Sequence, residues 1–158
     1  GYRSALIVVG DGAFRNELEH LLNGYPVLFT GFLSGDELST IYASSDVFVF
    51  PSTTDTFGNV VLEAQSSGIP VIVSDEGGPK ELMVDGKTGL VIKAHSKTAL
   101  VDALTFFLRD KNNRAFMGSN ARNFAETNGI TAYEAYHTIL NTHAKIEERC
   151  TTEDFVQV

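Results

Sequence analysis

Two carboxylates frame a loop and a helix start in the run Phe50-Pro51-Ser52-Thr53-Thr54-Asp55-Thr56-Phe57-Gly58-Asn59-Val60-Val61-Leu62-Glu63-Ala64. Asp55 lies just before Gly58, where the loop turns into a helix, and Glu63 follows eight positions after Asp55. The first amides of a helix have no intrahelical partner, and the macrodipole is positive there, so a helix N-terminus attracts anions. An anion-sized opening therefore has one carboxylate before it and one after it. Neither would coordinate phosphate, but both accept hydrogen bonds from hydroxyls. Such a site suits a ligand with phosphates in the middle and hydroxyls at both ends, a description that fits a nucleotide sugar.

The spacing fixes which side of the helix each residue occupies. Glu63 begins about 7 Å along the axis from Gly58, and its Cβ leans back toward the helix start. Counting about 100° per residue, Phe57, Val60, Val61 and Ala64 share the inner face, while Glu63 joins Asn59 and Ser66 on a polar flank.

These residues need a scaffold, and the rest of the chain reads as one. Ala5-Leu6-Ile7-Val8-Val9 is wholly apolar and predicts a strand buried on both faces. Gly10-Asp11-Gly12 turns the chain into a helix over Phe14 to Leu22. Val27 to Phe29 predicts a strand ending at Gly31. Ser34 with Glu37 three positions on reads as a capping box for a helix through Leu38, Ile41 and Tyr42. Val47 to Phe50 is the strand that delivers Asp55. Gly68 closes the following helix in a left-handed conformation, and Pro70 stands at the entry of a strand through Val73, where proline is tolerated. Gly77-Gly78 turns, Pro79 opens a short helix, and Leu90 to Ile92 is the last strand. Helices follow over Lys97 to Leu108, about Lys111 to Thr127, and Ala132 to Arg149. Short apolar strands alternating with helices predict an α/β fold, a parallel sheet with helices on both faces. Ligands bind such sheets at the carboxyl ends of strands. The loops at Gly10, Gly31, Pro51 and Ser74 are all at such ends.

Composition narrows the function further. With 158 residues the chain is one domain with room for a core. A net charge of −8 argues against nucleic-acid binding and offers no basic footprint for anionic lipid. Lys80, Lys87 and Lys93 still form a local basic region. The single cysteine, Cys150, rules out an internal disulfide and fits a cytoplasmic location. No apolar run approaches the roughly 18 residues of a membrane span. Metal binding is not expected, because the chain has no Asp-x-Asp and His20, His95, His137 and His143 are scattered.

The central run resembles the donor-binding signature of the retaining family-four glycosyltransferases of GT-B architecture: a Glu, seven residues and a second Glu, in a Pro-Ser-x-x-Glu-x-Phe-Gly context. The likeness continues in Val8-Val9-Gly10-Asp11-Gly12, Phe29-Thr30-Gly31-Phe32-Leu33 and Ile41-Tyr42-Ala43-Ser44-Ser45-Asp46-Val47-Phe48-Val49. Ser67 to Ser74, Gly77-Gly78-Pro79-Lys80-Glu81 and Asp85 to Val91 extend it, from residue 5 to about residue 146. One position departs: the first acid is Asp55, one methylene and about 1.5 Å shorter than Glu.

The resemblance implies a Rossmann-like domain, the second half of a GT-B fold, with residues 1–150 as the nucleotide-sugar-binding domain and 151–158 as a tail. It implies transfer of a hexosyl group from a nucleoside diphosphate sugar with retention, without a cofactor or metal. Glu63 would take the ribose hydroxyls. Asp55, placed as the catalytic carboxylate, and the amides of Phe57, Gly58 and Asn59 would face the donor sugar. Backbone around Gly31, Phe32 and Leu33 would meet the base, and the Gly10–Gly12 turn would complete the donor site. The acceptor site would belong to a first domain absent from this chain. An Arg and a Lys that grip the donor phosphates would come from a segment just upstream of the first strand, absent from this chain, and the chain alone is expected to be inactive. The final helix of such enzymes crosses to the other domain, so this chain is expected either to self-associate through 132–156 or to keep its tail disordered.

Two rivals differ in class. A non-catalytic nucleotide-sugar-binding or scaffold module would share every motif above. A NAD-dependent oxidoreductase domain would need a third glycine three positions after Gly12. That position is Arg15, and the nearest acids for the ribose, Asp36 and Glu37, read as helix-start residues.

Overall fold

A computed structural model describes residues 4–128. The chain alternates as expected: β1 (Leu6–Val9), α1 (Arg15–Leu21), β2 (Val27–Gly31), α2 (Gly35–Ser44), β3 (Phe48–Phe50), α3 (Asn59–Ser66) and β4 (Val71–Ser74). A 3-10 turn at Pro79–Leu82, β5 (Gly89–Ile92), α4 (Lys97–Arg109) and α5, described over 111–128, complete it. The helix expected over 132–149, the tail 151–158, Cys150, and the self-association expected of 132–156 lie outside the described residues.

All strand pairs are parallel, and each needs a crossover connection. β3 pairs with β4 through Phe48↔Val71, Val49↔Ile72 and Phe50↔Val73. β4 pairs with β5 from Val71↔Gly89 to Ser74↔Ile92. Every residue of β4 is buried, and the period-two alternation of a strand assigns them to two cores. Val71 and Val73 point to one, with Tyr42 of α2, Val61 and Ala64 of α3, and Leu82 and Met83. Ile72 points to the other, with Ala103 and Phe107 of α4 and Met117 of α5. Helices thus cover both faces of this sheet.

The expected single sheet is divided. β1 and β2 form a separate two-stranded sheet, in register from Leu6↔Val27 to Val8↔Phe29, with a shift before Val9↔Gly31. The double burial expected of β1 is not met: Leu6 is 47% exposed and Val9 41%. The reason is local. β1 has a hydrogen-bonded strand on one side, and α1 contributes no buried residue to cover a face.

Helix starts follow the sequence with one correction. Ser34 is the N-cap of α2, in extended conformation, but its side chain makes no cap hydrogen bond, so the capping box with Glu37 is not formed. Ser96 does cap α4, its Oγ accepting from the Ala99 N–H at 3.2 Å. Asp110 caps α5 by accepting from the amides of Asn112 at 2.9 Å and Asn113 at 3.0 Å. Gly68 takes the left-handed conformation expected after α3 (φ 75°).

Candidate functional site

The loop from β3 to α3 is braced from within and from without. Asp55 Oδ1 accepts the Phe57 N–H at 2.9 Å, an Asx turn that sets up the helix entry. Ser52 Oγ accepts the Asp55 N–H at 3.3 Å. The Asp55 carbonyl accepts the Gly78 N–H at 2.9 Å, which ties this loop to the turn after β4. Gly78 has an ordinary φ of −79°, so its glycine is required by proximity: a Cβ there would overlap the Thr56 carbonyl. Gly58 is required on both counts. Its φ is 82°, and a Cβ would lie 2.9 Å from Pro79 Cγ.

Gly58 is the N-cap of α3 and brings no side-chain oxygen, so no side chain of the cap covers the first amides of the helix. Of the three amides predicted to face a sugar, that of Phe57 is spent on Asp55, leaving those of Gly58 and Asn59. The second carboxylate oxygen of Asp55 has no hydrogen-bond partner among the described residues. Asp55 is half-buried, Asn59 exposed and Gly58 buried.

Glu63 lies exposed on α3, on the same flank as Asn59 and Ser66, as the helical count predicts. Its Oε2 accepts a hydrogen bond from the Tyr42 phenol at 3.0 Å. Tyr42 is 8% exposed and is the buried residue of α2. Its ring meets Phe48 edge-on, with centroids 5.6 Å apart and planes at 63°. Burial, then the charge of Glu63, then the hydrogen bond to it, raise the phenol above its ordinary pKa. Tyr42 therefore remains a proton donor across the physiological range. Sequence reading placed Tyr42 on a helix and in a motif, but nothing along the chain pairs it with a residue 21 positions away.

The remaining predicted residues form a second group at the ends of β1 and β2. The Gly10 N–H donates to the Gly31 carbonyl at 2.7 Å. Both glycines have positive φ, 111° and 73°. Asp11 Oδ1 accepts the Gly12 N–H at 2.7 Å. Arg15 holds Asp11 at 3.1 Å and Glu19 at 2.8 Å, and a Cβ on Gly31 would stand 3.4 Å from its guanidinium. Arg15 thus closes the turn at the position where a dinucleotide fingerprint needs glycine. Phe32 is 83% exposed, and Leu33 is half-buried beside it.

Other features belong elsewhere. A cavity of about 210 Å³ at the ends of β3, β4 and β5 is walled by Pro51, Ser74, Ile92, Lys93, His95 and Lys97, among others, and by none of the predicted site residues. Among the described residues no group of three or more His, Cys, Asp or Glu could hold a metal ion. Among them, too, no helix is long and apolar enough to cross a membrane.

Known proteins match this arrangement. The family model for glycosyl transferases group 1 matches residues 2–124. Sulfoquinovosyl transferase SQD2 of Arabidopsis thaliana is 44% identical over 121 residues, 75% of this chain and 24% of that protein. A GDP-mannose-dependent alpha-mannosyltransferase of Mycolicibacterium smegmatis is 41% identical over 107 residues, 67% of this chain and 28% of that protein. The chain therefore spans about a quarter of the length of these two relatives. Among solved structures, the Anabaena protein Alr3699/HepE in complex with UDP and glucose superposes with a TM-score of 0.75 at 25% identity, over 87% of this chain and 40% of that one. The C-terminal domain of a group 1 glycosyl transferase, LpcC of Francisella tularensis, gives 0.70 at 26%, over 78% of this chain and 68% of that one. By the span of the family match and the parallel α/β fold beneath it, this chain belongs to the group 1 glycosyl transferases and is a glycosyltransferase domain of GT-B type.

Proposed function

We propose that this chain is the donor-binding, C-terminal half of a retaining GT-B hexosyltransferase, with residues 1–150 as the domain and 151–158 as a tail. The observation that carries the reading is the braced loop between Asp55 and Glu63, with the uncapped start of α3 between the two carboxylates. The α3 amides and dipole meet the donor diphosphate and stabilise the charge that grows on it as the glycosidic bond breaks. Glu63 accepts from the ribose hydroxyls. Asp55 faces the sugar, its free oxygen opposing the positive charge that develops at the anomeric carbon. The backbone of Gly31, Phe32 and Leu33 meets the base, and the Gly10–Gly12 turn completes the donor site.

The comparisons support a nucleoside diphosphate sugar as the donor class. The mycobacterial relative is named for GDP-mannose, and the Anabaena structure holds UDP. The acceptor half is supplied by another domain of the same polypeptide. Without it, 132–156 is the region through which copies of this chain associate, and sedimentation velocity across a concentration series checks that.

Titration calorimetry of UDP, GDP and ADP into the chain, in the presence of EDTA, tests the donor reading. One of them binds, weakly, with a dissociation constant in the high micromolar range. Glu63→Gln weakens that binding about ten-fold, the value of a hydrogen bond to a charged acceptor. Binding that requires added magnesium, or that is unchanged in Glu63→Gln, overturns the reading. Retention is checked separately, from the anomeric configuration of the product made by the two-domain enzyme.

A further inference from the structure

We infer that Tyr42 is a positioning residue: its buried phenol fixes the Glu63 carboxylate for the ribose, and so sets how strongly the site prefers a ribonucleotide. The inference rests on the reading of Glu63 given above and adds to it a residue on a different helix.

Glu63 is exposed and carries a long side chain that, left alone, samples several rotamers. A carboxylate that must meet two adjacent hydroxyls gains from being held in place before the ligand arrives. Tyr42 can hold it. Its ring is buried among the residues of α3 and β4 and packed edge-on against Phe48, which in turn stacks on Phe50 at 6.0 Å and 13°. That leaves the phenol oxygen little freedom. The hydroxyl reaches Glu63 Oε2 at 3.0 Å from α2.

The division of the carboxylate also fits. Tyr42 occupies Oε2, and Oε1 has no hydrogen-bond donor among the described residues. Packing alone does not account for the hydroxyl, since phenylalanine would fill the same space. A buried tyrosine needs a partner for its O–H, and here that partner is the carboxylate assigned to the ligand. Burial and the neighbouring Glu63 charge raise the phenol above its ordinary pKa, which favours the protonated donor.

The test compares wild type, Tyr42→Phe, Glu63→Gln and the double variant. The probes are the nucleoside diphosphate that binds among UDP, GDP and ADP, and its 2′,3′-dideoxy counterpart. Wild type prefers the ribonucleotide about ten-fold. Glu63→Gln loses most of that preference. Tyr42→Phe loses about three- to ten-fold of it, with the affinity for the dideoxy probe and the melting temperature near wild type. The double variant is no worse than Glu63→Gln alone, because the two residues act as one unit.

Each other outcome is decisive. If Glu63→Gln collapses the preference and Tyr42→Phe retains it, the role of Tyr42 is overturned and that of Glu63 stands. If Tyr42→Phe weakens both probes equally, Tyr42 merely fastens α2 to α3 and the inference is overturned. If Glu63→Gln keeps the preference, or wild type binds none of the three nucleotides, the reading of Glu63 falls and takes the inference with it.

Discussion

β1 and β4 look alike as sequence and differ as structure. Both are four-residue runs, Leu-Ile-Val-Val and Val-Ile-Val-Ser, and the first reads as a strand enclosed on both faces. β4 is wholly buried, with β3 and β5 on its two edges and a helical layer on each face. β1 has β2 on one edge, and its end residues are exposed. Phe14, the N-cap of α1, and Leu18 and Leu21 of that helix are 71%, 39% and 63% exposed. Apolar composition says that a strand tolerates burial; neighbours decide whether it receives any.

The contrast reaches the candidate site. Asp55, Gly58 and Glu63 stand on the enclosed half, held by β3, β4, Tyr42 and the turn at Gly77-Gly78. Gly10, Gly31, Phe32 and Leu33 stand on the open half. The end that would receive diphosphate, sugar and ribose is therefore built on a packed core, and the end that would receive the base on a thin one.

The largest effect that could break this comparison is in the enclosed core. Phe107 is fully buried, so Phe107→Ala is expected to cost about 3–5 kcal/mol by transfer and cavity terms. Leu18→Ala, on the open half, should cost a small fraction of that. Equal losses in urea unfolding would show that the two halves share one core after all.

Next in size is Gly78→Ala. The added Cβ collides with the backbone of Thr56, and either the loop or the turn must shift, at about 1–3 kcal/mol. The same variant should weaken nucleoside diphosphate binding, because the moved loop carries Asp55 and the start of α3. Thermal unfolding and calorimetry on one sample check both. Gly12→Ala, where a Cβ meets nothing within 4 Å, is the control that should leave thermal stability unchanged.

Hydrogen exchange sharpens the comparison without a mutation. Amides of Val71 to Val73 should exchange near the rate set by global unfolding, and those of Leu6 to Val9 by smaller local openings. Matching protection in the two strands would remove the distinction. The smallest expected effect is Glu126→Ala. It breaks an ion pair with Arg122 at 3.0 Å in which both partners are well exposed, a loss of about 1 kcal/mol or less at low salt that shrinks as salt rises.

Much of this molecule could be read along the chain, because its signals are local. The strands at Val27, Phe48, Val71 and Gly89 announce themselves as short apolar runs, and glycines mark the ends of elements. The helical count placed Glu63 outside and Val61 and Ala64 inside. It had no reason to place Gln65 inside, yet that residue is fully buried, its Nε2 donating to the Leu82 carbonyl at 2.7 Å. A polar side chain is read as outward until a partner elsewhere in the fold is known. Tyr42 escaped for the same reason: its role depends on α3 lying against α2. The Ser34–Glu37 box failed differently, since the residue types are right but the side-chain bond is not made.

The bond between the Asp55 carbonyl and the Gly78 amide has a consequence for redesign. It joins segments on either side of α3 and β4, with Pro79 packed against Gly58 as a second seam. Grafting the Ser52–Gly58 loop of a relative to alter sugar preference would carry across half of a matched pair. The Gly77–Pro79 turn has to travel with it, so the smallest exchangeable module at this site is two loops and the helix–strand unit they bracket.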